Sequence, residues 1–146
     1  MRKRKPSPHD EALVAALMRA DVDAVKAELT AGGLPSCDDL RGFIEEWRIG
    51  ALGDAAAKTC FELVLASDYD LESQNRFGLT LFLAAIKHDP ALQLVLARSP
   101  NLNHQTKDGL TALHFVEGDV ARFDRLVAAG VDASLANKKG RAPKRD

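Results

Sequence analysis

The chain has 146 residues, 46% of them hydrophobic but only 5% aromatic, with 20 basic and 21 acidic side chains. This is the size of one domain whose core is built from Ala, Leu and Val, a composition that favours helices over sheets. It excludes a disulfide framework, because Cys37 and Cys60 are too few and too far apart and neither has metal-ligand spacing, which points to a reducing compartment. It also excludes an evident membrane span, because the apolar run Leu79 to Ile86 is far short of the roughly 20 residues needed.

The near-neutral total hides an asymmetry. Arg2, Lys3, Arg4 and Lys5 at one end, and Lys138, Lys139, Arg141, Lys144 and Arg145 against Asp146 at the other, hold nine bases and one acid. Residues 10–137 keep 11 bases and 20 acids, a net charge of −9. Such a body repels phosphate backbones and favours a neutral or basic partner. MRKRKPSPHDE has no apolar segment behind its basic residues, so residues 1–9 are expected to be a flexible basic tail, not a leader.

In chain order, the apolar spacing predicts short helices in pairs. Leu13, Ala16 and Leu17 form one stripe and Val22, Val25 and Leu29 the next, separated at Ala20-Asp21. Leu40 to Ile49 and Ala55 to Ala66 follow, broken at Gly50-Ala51-Leu52-Gly53, with Cys37 in the loop ahead of them. Thr80 to His88 and Ala91 to Arg98 are broken at Asp89-Pro90, where Pro90 suits a first turn that needs no N–H. Thr111 to Glu117 and Val120 to Ala129 are broken at Gly118-Asp119 and closed by Gly130 as a C-cap.

The pairs recur with a period. Gly78, Gly109 and Gly140 are 31 residues apart, Thr80 and Thr111 each lie two residues beyond their glycine, and the closing phrases LTAGG, VLASD, VLARS and LVAAG, counted from Gly32 through Asp68 and Ser99 to Gly130, step by 36, 31 and 31. Self-similarity in the thirties is the mark of stacked supersecondary units.

These residues resemble the ankyrin repeat, D-x-x-G-x-T-P-L-H-x-A followed by a glycine break, an apolar second helix and L-L-x-x-G-A-D-x-N. The match at Asp108 is partial; the fit is closest at Gly109, Thr111, Leu113, His114, Gly118, Leu126, Gly130 and Asp132, and covers the chain from about Asp10 to Pro143. The resemblance implies an all-α, ankyrin-type solenoid of stacked helix-turn-helix repeats at about 10–35, 36–73, 74–104 and 105–136, with a partial fifth at 137–143 and a tail at 144–146. It departs where Leu81 and Ala112 replace the motif's proline, where Leu83 replaces the histidine, and where two residues are missing from the second helix of the third copy and the first helix of the fourth. The resemblance further implies that Thr111 and His114 join the turn to the helix start, and that the third copy lacks this bond at Thr80. Gly78, Gly109 and Gly130 are the expected structural glycines.

No constellation points to catalysis or to a cofactor. His88-Asp89 would need further ligands from other helices to hold a metal. His114 near Glu117 reads as structural, Glu45 and Glu46 diverge on a helix, Cys37 has no activating base, and Gly50-Ala51-Leu52-Gly53 lacks the Lys and Ser/Thr of a phosphate loop. The expectation is therefore a non-enzymatic binding module, an adaptor or inhibitor in the cytoplasm (or nucleus, in a eukaryote), contacting one protein through its turn tips and concave face. One version is an immunity or antitoxin-type protein masking a basic partner; the alternative is nucleic-acid association or nuclear targeting through the basic ends. Arg76, Phe77, Lys107, Asp108, Arg48 and Lys87 are the expected contacts. Trp47, on a stripe with Leu40, Phe43 and Ile44, is expected in the core, or as the strongest contact if it faces the groove. The C-terminal edge at Phe115, Val120 and Phe123 is expected to be covered by the tail or by a second copy.

Overall fold

A computed structural model describes residues 4–146. Among these the chain forms seven α-helices, one 3₁₀ turn and no strand. The helices are α1 (Pro8–Leu17), α2 (Val22–Thr30), α3 (Cys37–Arg48), α4 (Asp54–Leu65), α5 (Leu81–Ala85), α6 (Asp89–Leu96) and α7 (Val120–Ala129), with the 3₁₀ turn at His114–Val116 before α7. No helix among the described residues is long and apolar enough to cross a membrane.

Local chemistry sets the starts. Ser7 caps α1 with Pro8 at the first helical position, and the Ser7 amide donates to Asp10 at 2.9 Å. Arg4 makes a two-pronged ion pair with Asp10 at 2.8 and 2.9 Å, and helix α1 starts at Pro8, inside the stretch expected to be a flexible tail. Arg2 and Lys3 of that expected tail lie outside the described residues.

The same capping box starts α3, where the Asp39 amide donates to Ser36 Oγ at 3.0 Å and the Ser36 amide to Asp39 at 2.9 Å. It moves the helix start three residues ahead of Leu40 and corrects the placement of Cys37. Cys37 opens the helix, is buried, and its thiol donates to the Leu79 carbonyl at 3.3 Å. Burial, with Asp38 adding to it, pushes that thiol up to about 11.

Asp21 and Asp119 cap α2 and α7 through the amides of Ala24 and Arg122. Helix α5 is shorter than expected. His88 takes the extended conformation of an N-cap so that α6 can start at Asp89 with Pro90 in its first turn. In the last pair, the span expected as a helix from Thr111 to Glu117 holds only the 3₁₀ turn.

The pairs lie in two rows. Helix α1 packs on α2, α5 on α6, and the 3₁₀ turn on α7; across pairs, α2, α4 and α6 touch in sequence, and α3 touches α5. One continuous core runs between the rows, from Leu13, Leu17 and Val25 through Phe43, Phe61 and Val64 to Leu81, Phe82, Ile86, Leu113 and Leu126. Each large side chain fully buried there contributes about 1.5–3 kcal/mol relative to exposure.

The C-terminal edge is in contact with the chain's own tail. The Lys144 amide donates to Glu117 at 2.6 Å, and Arg145 pairs with Asp124 at 2.7 and 2.8 Å. Phe123 is buried, while Phe115 and Val120 stay half-buried.

Candidate functional site

Three turns share one construction. The amides of Asn75, Thr106 and Asn137 donate to the carbonyls of Leu79, Leu110 and Arg141 at 2.9–3.0 Å, and those of Gly78, Gly109 and Gly140 donate back to Asn75, Thr106 and Asn137. Side chains reinforce them: Asn75 Oδ1 accepts from the Phe77 and Leu79 amides, Asn137 Oδ1 from those of Lys139 and Arg141, and Thr106 Oγ1 from that of Leu110.

Successive turns are also joined to each other. The Lys107 amide donates to the Phe77 carbonyl at 3.0 Å and the Lys138 amide to the Asp108 carbonyl at 3.0 Å. His104 Nε2 donates to the Gly78 carbonyl at 2.7 Å, and Gln105 Nε2 bridges the carbonyls of Gly109 and Ala136. The three tips form one row.

Side chains at equivalent positions of the row are exposed: Arg76, Lys107 and Lys138 at one position, Phe77, Asp108 and Lys139 at the next. Phe77 is 56% exposed, with the Arg76 guanidinium 4.8 Å from its ring centroid, within the range of a cation–π contact.

A second feature adjoins the row. Between α3 and α5 lies an open groove of about 400 Å³ lined by Asp38, Arg41, Glu45, Arg48, Lys87 and His88 over Ile44 and Ala84. Arg48 Nε donates to Glu45 at 2.9 Å, and this pairing holds the Glu45 carboxyl below its ordinary range. Asn75 Nδ2 donates to Asp38 at 3.0 Å, tying the first tip to the groove's edge.

The expected contacts thus divide. Arg76, Phe77, Lys107 and Asp108 sit on the tip row, and Arg48 and Lys87 in the adjoining groove. Trp47 belongs to neither surface. It is 3% exposed, packed on Phe43 and Phe61 at ring distances of 6.2 and 6.0 Å, and its indole N–H donates to Asp54 at 2.8 Å. The contact role for Trp47 falls away because its helical stripe with Leu40, Phe43 and Ile44 is buried. Arg41 and Lys138 were not among the expected contacts; Lys138 lies 31 residues beyond Lys107 and was legible from the period alone.

His88 stands edge-on to Trp47, ring centroids 4.5 Å apart, with Nε2 buried and without a hydrogen-bond partner among the described residues. Burial lowers its pKa against the opposing pull of Asp54 and Asp89. Asp89 is engaged by Arg122 at 2.8 Å and Arg125 at 3.4 Å. Among the described residues no group of three or more His, Cys, Asp or Glu side chains is placed to hold a metal ion.

Thr111 and His114 are joined by hydrogen bonding. The Thr111 amide donates to His114 Nδ1 at 3.0 Å, which leaves the ring proton on Nε2 to be donated to the Arg141 carbonyl at 3.0 Å. Thr80, with Leu83 in the place of the histidine, has a buried hydroxyl without a partner among the described residues.

The sequence matches no protein-family model, and no curated protein matches it.

Proposed function

We propose that the chain is an ankyrin-type solenoid that binds one partner protein, as an adaptor or inhibitor, through its turn tips and first-helix groove. The observation that carries this reading is the row itself. Three turns 31 residues apart have the same internal hydrogen bonds and are linked by the Lys107–Phe77 and Lys138–Asp108 backbone bonds. An ordered row of exposed side chains on a rigid backbone suits recognition of another macromolecule, because little entropy is lost on binding. Exposed Arg and aromatic side chains, here Arg76 on Phe77, are the usual anchors of such contacts. The proposal is for a binding protein and requires neither catalysis nor a cofactor.

The reading through basic ends has less support, since Arg4 and Arg145 are engaged by Asp10 and Asp124. Quantitative affinity purification from the native source separates the two. A partner retained by the wild-type chain and by a chain lacking 1–5 and 144–146, but lost with Arg76→Ala plus Phe77→Ala, supports the proposal. Capture that depends on the ends and collapses with salt overturns it.

A further inference from the structure

The charge of the tip row has the opposite sign to that of the body. Arg76, Lys107 and Lys138 occupy the same position of successive turns, Lys139 stands beside them, and all four are exposed. None of the four forms an ion pair among the described residues; Lys26, Lys58, Lys87 and Arg98 of the body are likewise unpaired there, while Arg19, Arg41, Arg48, Arg122 and Arg125 are each paired with a carboxylate. The backbone bonds between tips hold these cations next to one another despite their mutual repulsion.

We propose that this row receives an acidic segment of the partner protein, laid along the tips with an apolar side chain against Phe77; the inference rests on the reading of the chain as a protein-binding module. The body's net −9 does not decide what binds here. At physiological ionic strength charges are screened over about 8 Å, so a ligand at the tips meets the local cations. A basic segment would face uncompensated like charges, which disfavours it. A single-stranded nucleic acid needs stacking surfaces along its track, and the row offers only Phe77, while Asp108 and Asp38 interrupt the positive charge. A mixed segment, with carboxylates opposite Arg76, Lys107 and Lys138 and a gap at Asp108, meets neither obstacle.

The test uses the full chain and three labelled probes of equal length: a peptide alternating Glu and Leu, the same peptide with Lys for Glu, and a single-stranded oligothymidine. Affinity is read by fluorescence anisotropy, and the bound surface by amide chemical-shift mapping. The expected result is that the Glu peptide binds, shifts the amides of 76–78, 107–109 and 138–140, and is weakened about tenfold or more by Arg76→Glu, Lys107→Glu and Lys138→Glu together. Should that variant not fold, Lys107→Gln with Lys138→Gln weakens binding in the same direction. A Glu peptide unaffected by either variant overturns the proposal. So does oligothymidine binding more tightly at the row, which would make a polynucleotide the occupant. The Lys peptide binding there overturns the acidic assignment but leaves the protein-binding reading standing. With no probe at the row, the acidic assignment falls, while the protein-binding reading is decided by the affinity purification.

Discussion

A Cβ added at Gly109 would stand 2.8 Å from the Lys138 amide nitrogen, and one at Gly78 would stand the same distance from that of Lys107. Both glycines also have φ near +80°, a region that costs other residues about 1–2 kcal/mol. Gly140 has a similar φ of +77° but, among the described residues, no atom within 4 Å of its Cβ position. Gly109→Ala is therefore expected to lose more than Gly140→Ala, the difference reporting the contact between tips. Urea midpoints of the two variants measure it; equal losses would show that backbone conformation alone demands glycine.

Thr80 and Thr111 occupy equivalent positions with opposite hydrogen-bonding fates. Thr111 Oγ1 lies 3.0 Å from His114 Nδ1, while the Thr80 hydroxyl is buried without a partner among the described residues. Thr111→Val is expected to destabilise by about 1 kcal/mol. Thr80→Val removes an orphaned polar group at nearly constant shape and is expected to be neutral or stabilising. Thermal unfolding of the pair checks this, and equal destabilisation would contradict it.

Trp47 ties three elements together through Phe43, Phe61 and His88. Trp47→Ala is expected to cost about 3–5 kcal/mol through cavity formation. As the only tryptophan, Trp47 also reports the core. Its emission is expected to be blue-shifted and insensitive to a ligand at the tips; a red-shifted maximum in the folded chain would place it in water.

His88 gives stability a pH dependence of predictable sign. Burial favours its neutral ring, so the folded-state pKa lies below the unfolded value of about 6.5. Between those values the unfolded chain holds the extra proton. The contribution of His88 is thus complete above about pH 6.5 and lost as pH falls towards the folded value. Thermal midpoints of the wild type are expected to drop more steeply below about pH 6.5 than those of His88→Gln, and parallel profiles would rule this out.

What the sequence disclosed depended on the range of the interaction. The tips were legible because Gly78, Gly109 and Gly140 answer the same backbone demand at a fixed interval, and the burial of Leu13, Ala16 and Leu17 because helical spacing alone sets it. Helix starts at Ser7 and Ser36 were written locally, in serines followed three residues later by aspartates, yet the apolar stripes drew the boundaries too late and left Cys37 in a loop. The state of His88 had no local signal. Its buried Nε2 and its edge-on contact with Trp47 arise only when the second and third pairs pack. The positive row was obscured for a different reason: summing charge over residues 10–137 averages Arg76 and Lys107 with acids elsewhere on the body, and counts Lys138 with the tail.

Everything proposed for the surface depends on the tips being joined. Hydrogen–deuterium exchange at single amides tests this most directly, comparing Lys107 and Lys138 with Asp108, whose N–H makes no hydrogen bond among the described residues. The account predicts slow exchange at Lys107 and Lys138, although both side chains are exposed, and fast exchange at Asp108. Equally fast exchange at all three would mean that the turns move independently and that no continuous row exists.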